Sequence, residues 1–173
     1  MNIFQRNAIG KNQLTAKQIL TDPILFLAFG FGSGLAKKAP GTFGTVAAIP
    51  MYCLFAQTDL WLYSVLTVLV TVAGIWICGL AAEKLGEHEY GGIVWDEIAG
   101  LLITMWLVPF TWQTLTAGFV LFRLFDIIKP WPIRWIDQKV HGGLGIMLDD
   151  VLAGIFAAAV LWLLQSYAAV GFE

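Results

Sequence analysis

Charge-free stretches organise this chain. Residues 39–58, 60–82, 98–122 and 151–172 carry no Asp, Glu, Lys or Arg, in runs of 20, 23, 25 and 22 residues. About 20 predominantly apolar residues suffice to cross the hydrocarbon core of a bilayer. A fifth run, residues 23–36, has 14 residues. It is too short to span alone and reads as an interfacial or re-entrant segment. The third run is interrupted by Pro109, followed by Phe110, Thr111, Trp112, Gln113 and Thr114. That pattern predicts a turn between two helices, with residues 94–108 going one way and 115–128 returning. Helices of that length reach about 21–22 Å at 1.5 Å per residue, so they span only if their charged ends sit at the interface.

Lysine and arginine placement orients these elements. With a hairpin at Pro109 and the N-terminus inside, all 10 Lys+Arg fall on the cytoplasmic side. A single span over residues 98–122 would put Arg123, Lys129, Arg134 and Lys139 outside. The predicted fold is therefore an all-α, polytopic membrane helical bundle of about five spans. A polar cytoplasmic N-terminus (residues 1–22) precedes a single integral-membrane domain (residues 23–173).

Composition agrees. The chain has 173 residues, 58% hydrophobic and 13% charged, with a mean hydropathy of +0.75. Soluble domains are about 25% charged. The net charge of −2 and pI near 5.6 argue against a nucleic-acid module. Cys53 and Cys78 lie in apolar stretches without a partner at metal-ligand spacing and read as small buried hydrophobes. His88 reads as solvated, His141 as a loop histidine, and Glu83, Glu87 and Glu89 as a surface charge run. Nothing in the sequence sets an oligomeric state.

The remaining charges sit where an apolar chain should not keep them. Asp96 and Glu97 open the outgoing helix of the hairpin. Arg123, Asp126 and Lys129, spaced i, i+3, i+6, lie on one face of the returning helix. Asp96 lies 15 residues before Thr111 and Asp126 lies 15 after it, so both carboxylates are expected at one depth. Asp149 and Asp150 precede the last span and return to the same interface. Helix capping, dipole compensation or an ion pair explains each group separately. Their convergence is better explained by function, because ionisable groups at membrane depth mark functional sites. Carboxylates clustered without enough cations repel, which raises their pKa or demands a metal. A set of oxygen donors without His/Cys partners selects Mg²⁺ or Mn²⁺. The metal candidates are Asp96, Glu97, Asp126, Asp149 and Asp150.

A glycine-rich stretch adds a second candidate. Gly30, Gly32, Ser33 and Gly34 are followed by Pro40, Gly41, Thr42, Phe43, Gly44 and Thr45. Thr42 or Thr45 would suit a helix N-cap, and the free N–H groups there would form an anion site. Close glycine packing between helices is the competing reading. Lys129 and Arg134 flank Pro130-Trp131-Pro132 and are candidates for a phospholipid headgroup, while the tryptophans fit an interfacial belt.

Taken together, Pro40-Gly41-Thr42-Phe43-Gly44-Thr45, Trp95-Asp96-Glu97, the Arg123-x-x-Asp126-x-x-Lys129-Pro130 element and His141-Gly142-Gly143-Leu144-Gly145 ahead of Asp149-Asp150 resemble phosphatidylglycerophosphatase A. The resemblance runs in order from about residue 23 to the last helix. It implies a Mg²⁺-dependent lipid phosphatase of the bacterial inner membrane, with its active site facing the cytoplasm. Such an enzyme converts phosphatidylglycerophosphate to phosphatidylglycerol and phosphate. Asp96, Glu97, Arg123, Asp126, Lys129, Asp149 and Asp150 match the family's polar motif as catalytic candidates. Gly41, Thr42, Gly44, Thr45 and Arg134 are candidates for substrate binding, and Lys37 and Lys38 stay outside the site. Hydrolysis by a metal-activated water is favoured over a phospho-enzyme on one carboxylate. Rival readings are a phosphatase for another lipid phosphate, an ion-coupled transporter and a non-catalytic lipid-binding subunit.

Overall fold

The computed structural model describes residues 15–87 and 90–170. Arg6, Lys11, His88, Glu89 and Glu173 lie outside the described residues. Among those described, every regular element is a helix and none is a strand. The helices are α1 (Ala16–Thr21), α2 (Pro23–Ala28), α3 (Pro40–Phe55), α4 (Leu60–Leu85), α5 (Trp95–Thr104), α6 (Trp112–Ile128), α7 (Ile133–Lys139) and α8 (Gly142–Val170), with a 3₁₀ segment at Gly30–Leu35.

Local chemistry sets most helix starts. Asp22 caps α2 by accepting from the Ile24 and Leu25 N–H groups, with Pro23 in the first turn. Asp59 caps α4 by accepting from the Leu62 N–H. A Thr111–Thr114 capping box opens α6. Gly86, at φ 68, ends α4 in the left-handed conformation that glycine adopts without strain.

Among the described residues, two helices are long and apolar enough to cross a membrane: Leu60–Leu85 and Gly142–Tyr167. Only 28% of the apolar window of α4 is buried by protein. Trp61, Val68, Leu69 and Trp76 project outward from it, so its outer face is as apolar as its inner one. The expected count of five spans is not reached on length. α3 has 16 residues, α5 has 10 and α6 has 17. The hairpin at Pro109 is present, but α5 stops at Thr104 rather than residue 108. The backbone turns from Met105 onward and Leu107 adopts φ 65. α5 therefore rises only about 15 Å. The 23–36 segment folds as α2 and the 3₁₀ segment, with α2 packed on α4. Cys78 is buried, its Sγ 3.8 Å from Met147 Sδ, while Cys53 is half-buried.

α8 is the central element, in contact with α4, α5, α6 and α7. Small residues allow its close approach. A Cβ at Gly143 would collide with the Ile75 carbonyl oxygen of α4 and come within 2.7 Å of the Gly79 nitrogen. A Cβ at Gly154 would lie 2.6 Å from the Gly100 carbonyl oxygen of α5. Phe122 of α6, fully buried, fills the space beside Gly100. Substituting Gly143→Ala should therefore cost about 1–3 kcal/mol. Thermal unfolding of the detergent-solubilised protein should fall by several degrees. Gly91→Ala, where a Cβ meets nothing within 4 Å, should leave it unchanged.

At the end of α4, Lys84 Nζ donates to Asp22 Oδ2 at 2.5 Å. Burial pushes the Asp22 carboxyl up. The Lys84 ammonium and the two capping N–H groups outweigh it and hold the carboxyl below its ordinary value. The pair is about one-third exposed, so Lys84→Ala should cost no more than about 1 kcal/mol near neutral pH. A depressed folded-state value means that this contribution is present above the unfolded carboxyl pKa and lost as pH falls through the folded one. Unfolding scans of wild type and Lys84→Ala should converge in acid.

Candidate active site

The starts of α5 and α8, the end of α6 and the short α7 meet around a cavity of ≈ 220 Å³. Asp96 and Glu97 occupy the first turn of α5, where the helix dipole favours negative charge. Dipole compensation does not satisfy them. Asp96 Oδ1 and Glu97 Oε2 are buried without a hydrogen-bond partner. Asp149 and Asp150 come from α8, 8% and 2% exposed, and Asp149 Oδ1 and Asp150 Oδ2 are likewise unpartnered. Ligand atoms of Asp96, Glu97 and Asp150 lie within 4.8 Å of one another.

Two cations face this cluster. Arg123 Nη1 lies 2.5 Å from Asp126 Oδ2 and 3.7 Å from Glu97 Oε1. Arg123 Nη1 is engaged in these ion pairs, whereas Nε is buried without a hydrogen-bond partner, so the guanidinium retains a donor for an anion. Lys129 Nζ donates to Asp149 Oδ2 at 2.7 Å and to Asp137 Oδ1 at 2.6 Å. Burial disfavours its ammonium, but these two carboxylates more than compensate and hold it well above its ordinary value. Six carboxylates (Asp96, Glu97, Asp126, Asp137, Asp149 and Asp150) thus stand against Arg123 and Lys129, a formal charge of −4. All the unpartnered carboxylate atoms are hard oxygens, the donor set that a divalent Mg²⁺- or Mn²⁺-like cation requires.

All seven residues predicted as catalytic are therefore brought together. The glycine stretch is placed differently. α3 begins at Pro40 after Ala39, which adopts φ 48, and no side chain caps it. Thr42 and Thr45 are inside the helix rather than N-caps, because proline at the first position starts the helix earlier. Thr45 is fully buried and its hydroxyl donates to the Gly41 carbonyl at 2.9 Å. Gly44 packs on Val94, and neither Thr42 nor Gly44 lines the cavity. Gly41 abuts the site from behind. A Cβ there would collide with Glu97 Oε1 and lie 3.0 Å from Arg123 Nη1. Close packing, the competing reading of these glycines, is what they do. Arg134 is exposed on α7, away from the cavity lining, and Lys37 and Lys38 are exposed. Sequence reasoning did not single out Asp137 or Tyr90, which line the cavity, and His141 lies in its wall. The spacing of Asp137 eight residues beyond Lys129 crosses a Pro-Trp-Pro turn, so no helical periodicity links the two.

The family model for phosphatidylglycerophosphatase A matches residues 26–165. The chain belongs to this family. It is 44% identical over 172 residues to phosphatidylglycerophosphatase A of Escherichia coli, covering 99% of this chain and 98% of the relative. The Haemophilus influenzae protein of the same name is 41% identical over 157 residues, covering 90% and 96%. A Bacteroides thetaiotaomicron protein, provisionally named a phosphatidylinositol-3-phosphatase, is 40% identical over 144 residues, covering 78% and 88%. No solved structure matches the chain.

The uncompensated charge has a direct consequence. In EDTA, Asp150→Asn should unfold at a higher temperature than wild type. Relief of about 1 kcal/mol of repulsion corresponds to roughly 2–4 °C for a chain of this size. Added Mg²⁺ should stabilise wild type more than the variant and reverse the order.

Proposed function

We propose that this protein removes the terminal phosphate of phosphatidylglycerophosphate, giving phosphatidylglycerol and phosphate in phospholipid biosynthesis, with Mg²⁺ as cofactor. The observation that carries the reading is the meeting of an under-neutralised carboxylate cluster with two cations in a chain of this family. α4 and α8, with the shorter α3 and the α5–α6 hairpin, would form a membrane domain of the bacterial inner membrane. The charged end would face the cytoplasm, as the basic residues favour. Acyl chains would lie along the apolar exterior while the headgroup enters the cavity.

Asp96, Glu97 and Asp150 are the residues that would hold the cation, with Asp126 and Asp149 beside them. A divalent cation there supplies charge neutralisation for a phosphomonoester and makes water more acidic. Arg123, with an unused donor, grips the non-bridging phosphate oxygens, and Asp126 keeps its guanidinium in place. Lys129 adds a hydrogen bond from the opposite side of the cluster. A cavity carboxylate accepts the proton of the attacking water as the new P–O bond forms. The bond to the glycerol oxygen breaks, and that oxygen is protonated as the lipid alcohol leaves. Phosphoryl transfer asks chiefly for such positioning and charge stabilisation. A transporter would need charges through the depth of the bundle, whereas α4 from Leu60 to Ala82 and α8 beyond Asp150 carry none.

The test is phosphate release from micellar phosphatidylglycerophosphate by purified protein. Mg²⁺ should support turnover and EDTA should abolish it. Arg123→Ala should lower kcat by about 10²-fold or more, as for loss of a transition-state charge contact. Full activity in EDTA would remove the metal from the reading. The Bacteroides relative favours comparing phosphatidylinositol 3-phosphate as substrate. A higher kcat/KM on that lipid would replace the substrate proposed here.

A further inference from the structure

Lys129 is the residue immediately after α6, in a left-handed conformation at φ 44. Its ammonium reaches carboxylates on two other helices, Asp149 of α8 and Asp137 of α7. Asp149 belongs to the acidic cluster, but Asp137 belongs to no motif. It nevertheless lines the cavity, on a helix packed against α8. A free lysine side chain samples many rotamers and loses that freedom on gripping a ligand. An ammonium has three donors, and here two are committed. The third alone is left, and its direction is set by the other two.

We propose that Asp137 is a positioning residue. It clamps Lys129 from α7, so that the ammonium stays at the cavity wall with one donor reserved for the phosphomonoester. The inference rests on the phosphatase reading above and on Lys129 as a phosphate contact. The negative charge of Asp137 acts in the other direction, because it repels a phosphate dianion. Positioning lowers KM and repulsion raises it, so the sign of the change on removing the carboxylate separates them.

The experiment is steady-state hydrolysis of phosphatidylglycerophosphate in Mg²⁺ by wild type, Asp137→Ala, Asp137→Asn, Lys129→Ala and the Asp137→Ala/Lys129→Ala double variant. Asp137→Ala should raise KM about tenfold, equivalent to about 1.4 kcal/mol. Its kcat should stay within about threefold of wild type. Asp137→Asn, whose amide oxygen still accepts from Nζ, should recover most of the loss. In the Lys129→Ala background, removing Asp137 should change KM by less than about twofold, because the two act as one unit. A fall in KM for Asp137→Ala would show that repulsion dominates and overturn the proposal. So would equal effects in both backgrounds, or a loss of kcat and thermal stability at unchanged KM, which are marks of a merely structural role. If Asp137→Ala does not fold, Asp137→Ser is read by the same criteria. An active wild type whose KM is untouched by Lys129→Ala overturns this inference but leaves the phosphatase reading standing. A wild type inactive on this lipid overturns the phosphatase reading and the inference with it.

Discussion

Six carboxylates held against two cations, at one end of a largely apolar bundle, set the constraint that the remaining structure serves. Burying a charged group without a partner is among the costliest arrangements in a protein. Here several carboxylate oxygens are buried and unpartnered at once. The arrangement survives because partial compensation comes from several directions. The start of α5 offers its dipole to Asp96 and Glu97. Arg123 sits between Asp126 and Glu97, and Lys129 bridges Asp137 and Asp149. What remains uncompensated is what a divalent cation and a phosphate ester would together supply in the proposed reaction.

The rest of the bundle holds these groups in place without adding charge. α8 approaches the α4 backbone at Gly143 and the α5 backbone at Gly154 so closely that a Cβ could not be accommodated at either position. These contacts bring Asp150 against the first turn of α5, with Asp149 beside it facing Lys129. Gly41 performs the same service behind Glu97 and Arg123. Packing in the apolar part and chemistry in the polar part are thus one problem. The small residues that fix helix separation also fix how near the carboxylates stand to one another.

Much of this was legible in the chain because charges are rare in it. Asp96, Glu97, Arg123, Asp126, Lys129, Asp149 and Asp150 each flank a charge-free run, so their common end of the bundle follows from counting residues. Elements without such contrast are less legible. Hydropathy continues unbroken through residues 105–108 while the backbone already turns, so the apolar pattern overstates the length of α5. Thr42 and Thr45 look like caps by residue type, but Pro40 and the left-handed Ala39 begin the helix before either is reached. Asp137 sits in a seven-residue helix after two prolines, where periodicity carries too few turns to indicate a face.

The class of protein follows from the chain's one-dimensional pattern: an all-helical, largely apolar chain with its charges gathered at helix ends and its motif residues in family order. It does so because hydropathy and residue spacing are one-dimensional properties, and helical geometry converts them directly into length and depth. Helix packing, by contrast, sets which carboxylate oxygens face each other unpartnered, which acids hold Lys129, and the placement of Thr45 and Arg134 apart from the cavity. Those outcomes depend on how far each helix is rotated and how closely it approaches its neighbours. Contacts such as Gly143 on Ile75 and Gly154 on Gly100 set both, between residues far apart in the chain.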